Sequence, residues 1–280
     1  MRHRHLQPRE KEYIDRVTED LKGDLFAGSR GSVWARLTRD YTLREVTYDK
    51  DTFPAIAGIV QRIQKLTGDT YYAGLWKSQF FNGLLWYHYR HSMNPMDNFK
   101  RADNPRDLRK RQVWTAPSWS WASVKGTLDY YSGASTRYNH PCARLDECNI
   151  TRSGPDPFGA ITSGYARITG PITLVTDIEA EDDYSGLHPW GKVQLGNGTL
   201  AKARVMFDFG PRESCIVLMV LTYMGICIEK VEQMEDKYIR VGMVEVGGYW
   251  RFPKGSDEPV PETGYLTASD HRPPRTITLI

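Results

Sequence analysis

The chain is poor in cysteine, nearly balanced in charge and without a long apolar run, and each shortage excludes something. Four cysteines occur in 280 residues, at 142, 148, 215 and 227. They form no Cys-x-x-Cys pair, and no Cys/His group has zinc-ligand spacing, so neither a zinc module nor a dithiol redox motif is expected. Cys215 and Cys227 fall in apolar runs, where free cysteine behaves as a small buried hydrophobe. Lys and Arg number 37 against 34 Asp and Glu, a net charge of +3. So slight an excess does not mark a nucleic-acid partner. The start, MRHRHLQPREKEY, has no apolar h-region and reads as no secretory signal. The longest apolar run, CIVLMVLTYMGICI, is short for a bilayer and rich in β-branched residues, so it reads as buried strands. GSRGS at 28–32 lacks the Lys-Ser/Thr of a P-loop and the spacing of a dinucleotide turn. The expectation is a cytoplasmic protein with reduced thiols, no cofactor, no nucleic acid and no membrane span.

What the chain has in quantity is aromatic side chains: eight Trp, sixteen Tyr and nine Phe. The first third reads as helical. Tyr13, Ile14, Val17 and Leu21 have helix spacing within 6–23. In 51–68, Phe53, Ile56, Ala57, Val60 and Ile63 share a face, with Asp51 as cap, Pro54 in the first turn and Gly68 as stop. A third helix is expected over 72–89, apolar on two sides through Trp76, Phe80 and Leu84 and through Leu75, Phe81 and Leu85. The polar stretch 91–112 reads as a linker, its basic Arg109-Lys110-Arg111 as a solvated end. From Val113 the pattern turns to short strands separated by Gly, Pro and acidic loops. The class is therefore α+β: helices in 1–112 packed against an antiparallel β-rich sandwich or partly open barrel in 113–280.

One stretch stands out, Ala116-Pro117-Ser118-Trp119-Ser120-Trp121-Ala122-Ser123. Read as a strand, it puts Trp119, Trp121 and Ser123 on one face and Ser118, Ser120 and Ala122 on the other. One face is bulky enough to wedge between sheet and helices; the other lets a backbone approach closely. A strand hairpin with TLDYY across Lys125-Gly126 is expected. A serine nucleophile served by His88, His91 or His140 is disfavoured, because no glycines flank the serines as in a nucleophile elbow. Asp129, Asp177, Asp208 and Glu245 could pair as acid and base, but carboxylates near strand ends read first as turn or surface residues. Tyr130, Tyr131, Tyr184, Trp190, Tyr249 and Trp250 could form a sugar platform, which keeps a glycan-binding or carbohydrate-active alternative open.

AGLWKSQFFNGLLW (73–86) followed by WTAPSWSWASVKGTLDY (114–130) closely resembles fungal heterokaryon incompatibility (HET) proteins. VWARLTRDYTLREVTYDKDTFPAIAGIV, KYIRVG and the closing TITLI are similar to that family as well, so the likeness runs over roughly 30–250. The matching positions are Gly74, Leu75, Trp76, Leu84, Leu85, Trp86, Pro117, Ser118, Trp119, Ser120, Trp121 and Ser123. The resemblance implies a strand of the R-x-L-T type before an Asp-rich turn, here Leu43-Arg44-Glu45-Val46-Thr47, and a role in non-self recognition and cell death. It also implies that the signalling domain, with its Leu-Ser-Tyr-x-Trp-Gly-like opening and TIR-like character, precedes the residues matched here. That stretch does not occur in this sequence. The expectation is therefore a carboxy-terminal half without catalysis, partnered by a HET-type amino-terminal domain or another protein. The two-sided helix 72–89 would then expose an apolar patch that such a domain covers.

Overall fold

Pairing around the large sheet returns to its starting strand. The computed structural model describes residues 32–44, 46–88, 108–130, 139–179, 189–247, 250–251, 260–261, 266–267 and 271–280. The expected helix in 6–23, most of GSRGS, most of the linker, and His91, Tyr131, Tyr184 and Tyr249 lie outside these residues. The fold is α+β and β-rich, as the patterning predicts.

Among the described residues two longer helices come first. α1 (Val33–Thr42) is capped by Ser32, whose Oγ accepts from the Ala35 N–H at 3.1 Å. The strand implied for Leu43–Thr47 is not formed by its described residues: Leu43 is the C-cap of α1, and Arg44, Val46 and Thr47 follow without strand pairing. α2 (Ala57–Thr67) buries Val60 and Ile63 and ends on Gly68 at φ +69°. Its start is later than expected: two 3₁₀ turns, Asp49–Asp51 and Pro54–Ile56, lead into it, and Asp51 is no cap.

The expected helix over 72–89 is absent. Those residues form the short hairpin β1 (Tyr71–Tyr72) and β2 (Leu75–Trp76), a 3₁₀ turn, the single turn α3 (Phe80–Gly83), and β3 (Trp86–His88). The reason is Ala73-Gly74, both with positive φ, +43° and +104°. Two left-handed residues in succession make a two-residue hairpin turn rather than helix.

After β4 (Arg109–Lys110), β5 (Val124–Lys125) and β6 (Leu128–Tyr130) come β7 (Arg144–Arg152), β8 (Ile161–Glu179), β9 (Trp190–Gln194), β10 (Leu200–Phe207), β11 (Cys215–Leu221), β12 (Met224–Lys230) and β13 (Lys237–Val246). β14 (Trp250–Arg251), β15 (Val260–Pro261) and β16 (Pro274–Leu279) complete the order. CIVLMVLTYMGICI is the β11–β12 hairpin, as its β-branched content predicts. β5 and β6 do not pair with each other: β5 joins β4 and β6 joins β3. β8, β11, β12, β13, β10 and β9 pair in sequence and close back on β8, forming a barrel.

Alternation along these strands separates two cores. Val175, Val193, Ala203, Val205, Val217, Val244 and both Cys215 and Cys227 fill the barrel, the two sulfurs 3.2 Å apart. The other faces of the strands join the helices and the tryptophans in a second cluster that runs from Val33 to Leu279. It crosses position 112/113 without a break, since Trp76, Trp86, Trp119 and Ile226 all belong to it. Leu75, Trp76, Phe80, Leu84, Leu85 and Trp86 are buried and Phe81 is half-buried, so the patch expected on 72–89 is not there.

Candidate functional site

The tryptophan stretch is not a strand. Ser118 and Trp119 lie in a turn, and Trp121–Ser123 form one 3₁₀ turn. The segment therefore has no two alternating faces; Trp119, Ser120, Trp121 and Ala122 are all buried together. Each hydroxyl has a backbone partner. Ser120 Oγ donates to the Ala73 carbonyl at 2.5 Å and accepts from the Ala122 N–H at 3.1 Å. Ser123 Oγ donates to the Ser120 carbonyl at 2.7 Å. Ser118 Oγ donates to the Ile280 carbonyl at 2.5 Å and accepts from the Arg240 backbone N–H at 2.9 Å.

The hairpin turn supplies the matching acceptors. The Gly74 carbonyl receives the indole N–H groups of both Trp34, at 3.1 Å, and Trp121, at 2.9 Å. Gly74 is required here twice over: its φ is +104°, and a Cβ would lie 2.5 Å from Trp121 Nε1. Trp86 Nε1 donates to the Trp119 carbonyl at 3.1 Å. Phe80 packs on Trp119 with ring centroids 5.7 Å apart, and Tyr41 and Phe53 pack on Trp121 at 5.8 and 6.2 Å. Pro117 meets Gly164 of β8, where a Cβ would come within 2.8 Å of the proline ring. Gly74, Leu75, Trp76, Leu84, Leu85, Trp86 and the 117–123 stretch are thus brought into one knot.

The residue that ties this knot to the barrel escaped the sequence reading. Arg240 sits in β13 with 3% exposure. Its Nη1 reaches both oxygens of Asp208 at 2.7 and 2.6 Å. Nε donates to the Leu84 carbonyl at 3.2 Å and Nη2 to the Trp86 carbonyl. The guanidinium carbon stands 3.4 Å from the centre of the Trp86 ring, a cation–π contact in a desolvated place. Burial pushes the Asp208 carboxyl up, against the opposing pull of Arg240, and pushes the guanidinium down. Alternation sets Arg240 on the face opposite Ile239 and Val241, which pack into the barrel, so period 2 alone gave no signal of its burial.

Other expectations need correction. Asp129, Asp208 and Glu245 are buried rather than at the surface; Asp177 is exposed and pairs with Lys192 at 3.1 Å. Arg39 lies 3.8 Å from Asp129. Arg111 is not a solvated end: it pairs with Asp49 at 2.7 Å and donates to the Ala122 carbonyl at 2.7 Å. Tyr130 and Trp190 are buried, which removes them from any sugar platform.

Over the knot and the barrel seam lies a cleft of about 1170 Å³. Ser118, Asp208 and Arg240 form its base, Trp114 stands at its side half exposed, and Lys110, Arg167, Arg212 and Lys237 border it. Glu229 holds Arg212 at 2.8 Å, and Glu147 holds Arg167. Among the described residues there is no group of three His, Cys, Asp or Glu able to hold a metal ion, and no helix long and apolar enough to cross a membrane. The base can order backbone and exclude water; its serine, arginine and aspartate are all committed to one another or to backbone. No family model, curated protein or solved structure matches the chain.

Proposed function

We propose that this chain is a non-catalytic accessory half of a HET-type fungal incompatibility protein, acting in the cytoplasm by packing against or regulating an effector domain. The observation that carries this reading is the use made of the motif itself. Ser118, Ser120 and Ser123 spend their hydroxyls on backbone groups of 73, 118, 120, 240 and 280, so the stretch that bears the resemblance is architecture. A scaffold of that kind presents a surface and performs no chemistry of its own. The test is binding: purified full chain titrated with a HET-type amino-terminal domain, followed by calorimetry and by a death assay on co-expression. Saturable binding with altered death supports the reading; heat-labile NAD turnover by the chain alone counts against it.

A glycan-binding reading has one observation in its favour, Trp114, 51% exposed beside the cleft. A half-exposed indole next to hydroxyl-bearing Thr162, Ser163, Thr276 and Thr278 can stack on a sugar ring. A glycan array probed with the chain and with Trp114→Ala distinguishes this reading: only Trp114-dependent binding sustains it.

A further inference from the structure

Two thiols meet inside the barrel. Cys215 opens β11 and Cys227 lies within β12, and both belong to the interior cluster with Val175, Val193, Val217 and Val244. Val217, not Cys215, stands directly opposite Cys227, so the two thiols are diagonal neighbours on one face of the hairpin. Their sulfurs are nevertheless 3.2 Å apart. A disulfide bond is about 2.0 Å long, so closure asks the two sulfurs to approach by roughly 1 Å.

The two differ in access. Glu213 and Ser214, just before Cys215, are exposed, which puts that thiol at the barrel rim, itself 6% exposed. Cys227 is wholly enclosed. Burial, and after it the contact with Cys215, holds the Cys227 thiol well above its usual range, so it keeps its proton in the resting pair. Position at the rim makes Cys215 the attacking group, and depth makes Cys227 the group that resolves it. Such a site admits only a small oxidant. Thiols that served packing alone would be left unaltered by it.

We propose that Cys215 and Cys227 are a redox-active dithiol, closed to a disulfide by hydrogen peroxide. The Cys215 sulfur, on losing its proton, attacks one peroxide oxygen; the O–O bond breaks, and the second oxygen takes that proton and leaves as water. Cys227 then attacks the sulfenic sulfur. The S–S bond forms, the S–O bond breaks, and hydroxide leaves with the Cys227 proton as a second water. Two thiols are oxidised by two electrons and one peroxide is reduced to two waters. The product ties β11 to β12 within the barrel, where enclosure shields it from reducing thiols. The inference goes beyond the accessory reading and does not depend on it.

The test is mass spectrometry of the full chain exposed to hydrogen peroxide, quenched, unfolded and alkylated with iodoacetamide. Trypsin releases 213–230 as one peptide that carries both cysteines and no internal Lys or Arg. The expected result is loss of both labels on that peptide and a mass two hydrogens below the dithiol form, restored by dithiothreitol in denaturant. Cys142 and Cys148, free and half-buried, are expected to stay open to alkylation after the same treatment. In Cys227→Ala protein, Cys215 is expected to stop at the sulfenic acid and to react with dimedone. In Cys215→Ala protein, Cys227 is expected to remain a thiol. An unchanged peptide from the folded chain overturns the proposal and leaves the pair as core packing. So does Cys215 carried to sulfinic or sulfonic acid without closure, a disulfide that reaches Cys142 or Cys148, or closure only after urea unfolding. The wild-type measurement decides by itself if either alanine variant fails to fold.

Discussion

Arg240 holds Asp208 through a single nitrogen, 2.7 and 2.6 Å from the two carboxylate oxygens, with both side chains almost wholly removed from water. The same guanidinium reaches back to the carbonyls of Leu84 and Trp86, so one side chain joins β13, the end of β10 and the approach to β3. A buried ion pair is not in itself a gain over apolar packing, but breaking one strands a charge.

Removing one partner should therefore be severe. Arg240→Met leaves Asp208 buried without a counter-charge and two carbonyls without a donor; Asp208→Asn leaves the guanidinium. Each is expected to lower stability by about 3–5 kcal/mol in urea unfolding. Double replacement by Met and Leu should recover part of that loss. Single variants within about 0.5 kcal/mol of wild type, the usual range for surface positions, would show that the pair is solvated.

The two neighbouring tryptophans should respond differently to the same substitution. Trp121 donates to Gly74, while Trp119 Nε1 is buried and meets no acceptor among the described residues. Changing either to Phe removes similar volume. Trp121→Phe also loses a hydrogen bond, so it should be the less stable variant by about 1 kcal/mol. Alanine at either site should cost about 3–5 kcal/mol, since both rings are core. Equal unfolding midpoints for the two Phe variants would refute the assigned donor.

Ser118 is expected to behave as a fastener. Ser118→Ala removes an acceptor from the Arg240 N–H and a donor to Ile280. The expected loss is about 1 kcal/mol, because the Arg240 N–H loses its acceptor while the Ile280 carbonyl keeps the Ser118 N–H. A fluorophosphonate probe should label none of Ser118, Ser120 or Ser123 in the native chain. Stoichiometric labelling at any of them would reinstate a nucleophile.

Much of the β half was legible because a period-2 run such as 200–207 states its own register and the continuous apolar run 215–221 is rich in β-branched residues. α2 was legible for the equivalent reason at period 3.6. The failures cluster where tertiary bonds override local pattern. Residues 72–89 have helical spacing of apolar groups, yet Ala73 and Gly74 take positive φ and their carbonyls are held by Ser120, Trp34 and Trp121. Those donors are distant in sequence, so no local signal reports them. The 117–123 stretch alternates like a strand, but its serines satisfy the backbone that strand neighbours would otherwise satisfy. The cleft was illegible for the same reason: its base comes from Ser118, Asp208 and Arg240, which only the closed barrel brings together.

Stability should fall on the alkaline side. Burial pushes the Cys142 and Cys148 thiols up to about 12, and Glu147 adds to the effect at Cys148. In the unfolded chain a thiol titrates near 8.5. Between those values the folded state keeps the proton and the unfolded state releases it, so folding loses free energy as pH rises. Below the unfolded value both states are protonated and these groups contribute no slope. The expected loss is at most about 1.4 kcal/mol per pH unit for each thiol above pH ~9. Tyr41, raised by burial to about 12, adds to the decline above its unfolded value near 10. Urea midpoints measured from neutral to alkaline pH should be flat and then fall. Cys142→Ala/Cys148→Ala protein should fall later and less steeply. The same thiols should resist iodoacetamide at pH ~8, where only thiolate reacts. An alkaline limb identical in the double variant would assign the decline to other groups, and rapid alkylation of the native chain at that pH would show that both thiols are solvated.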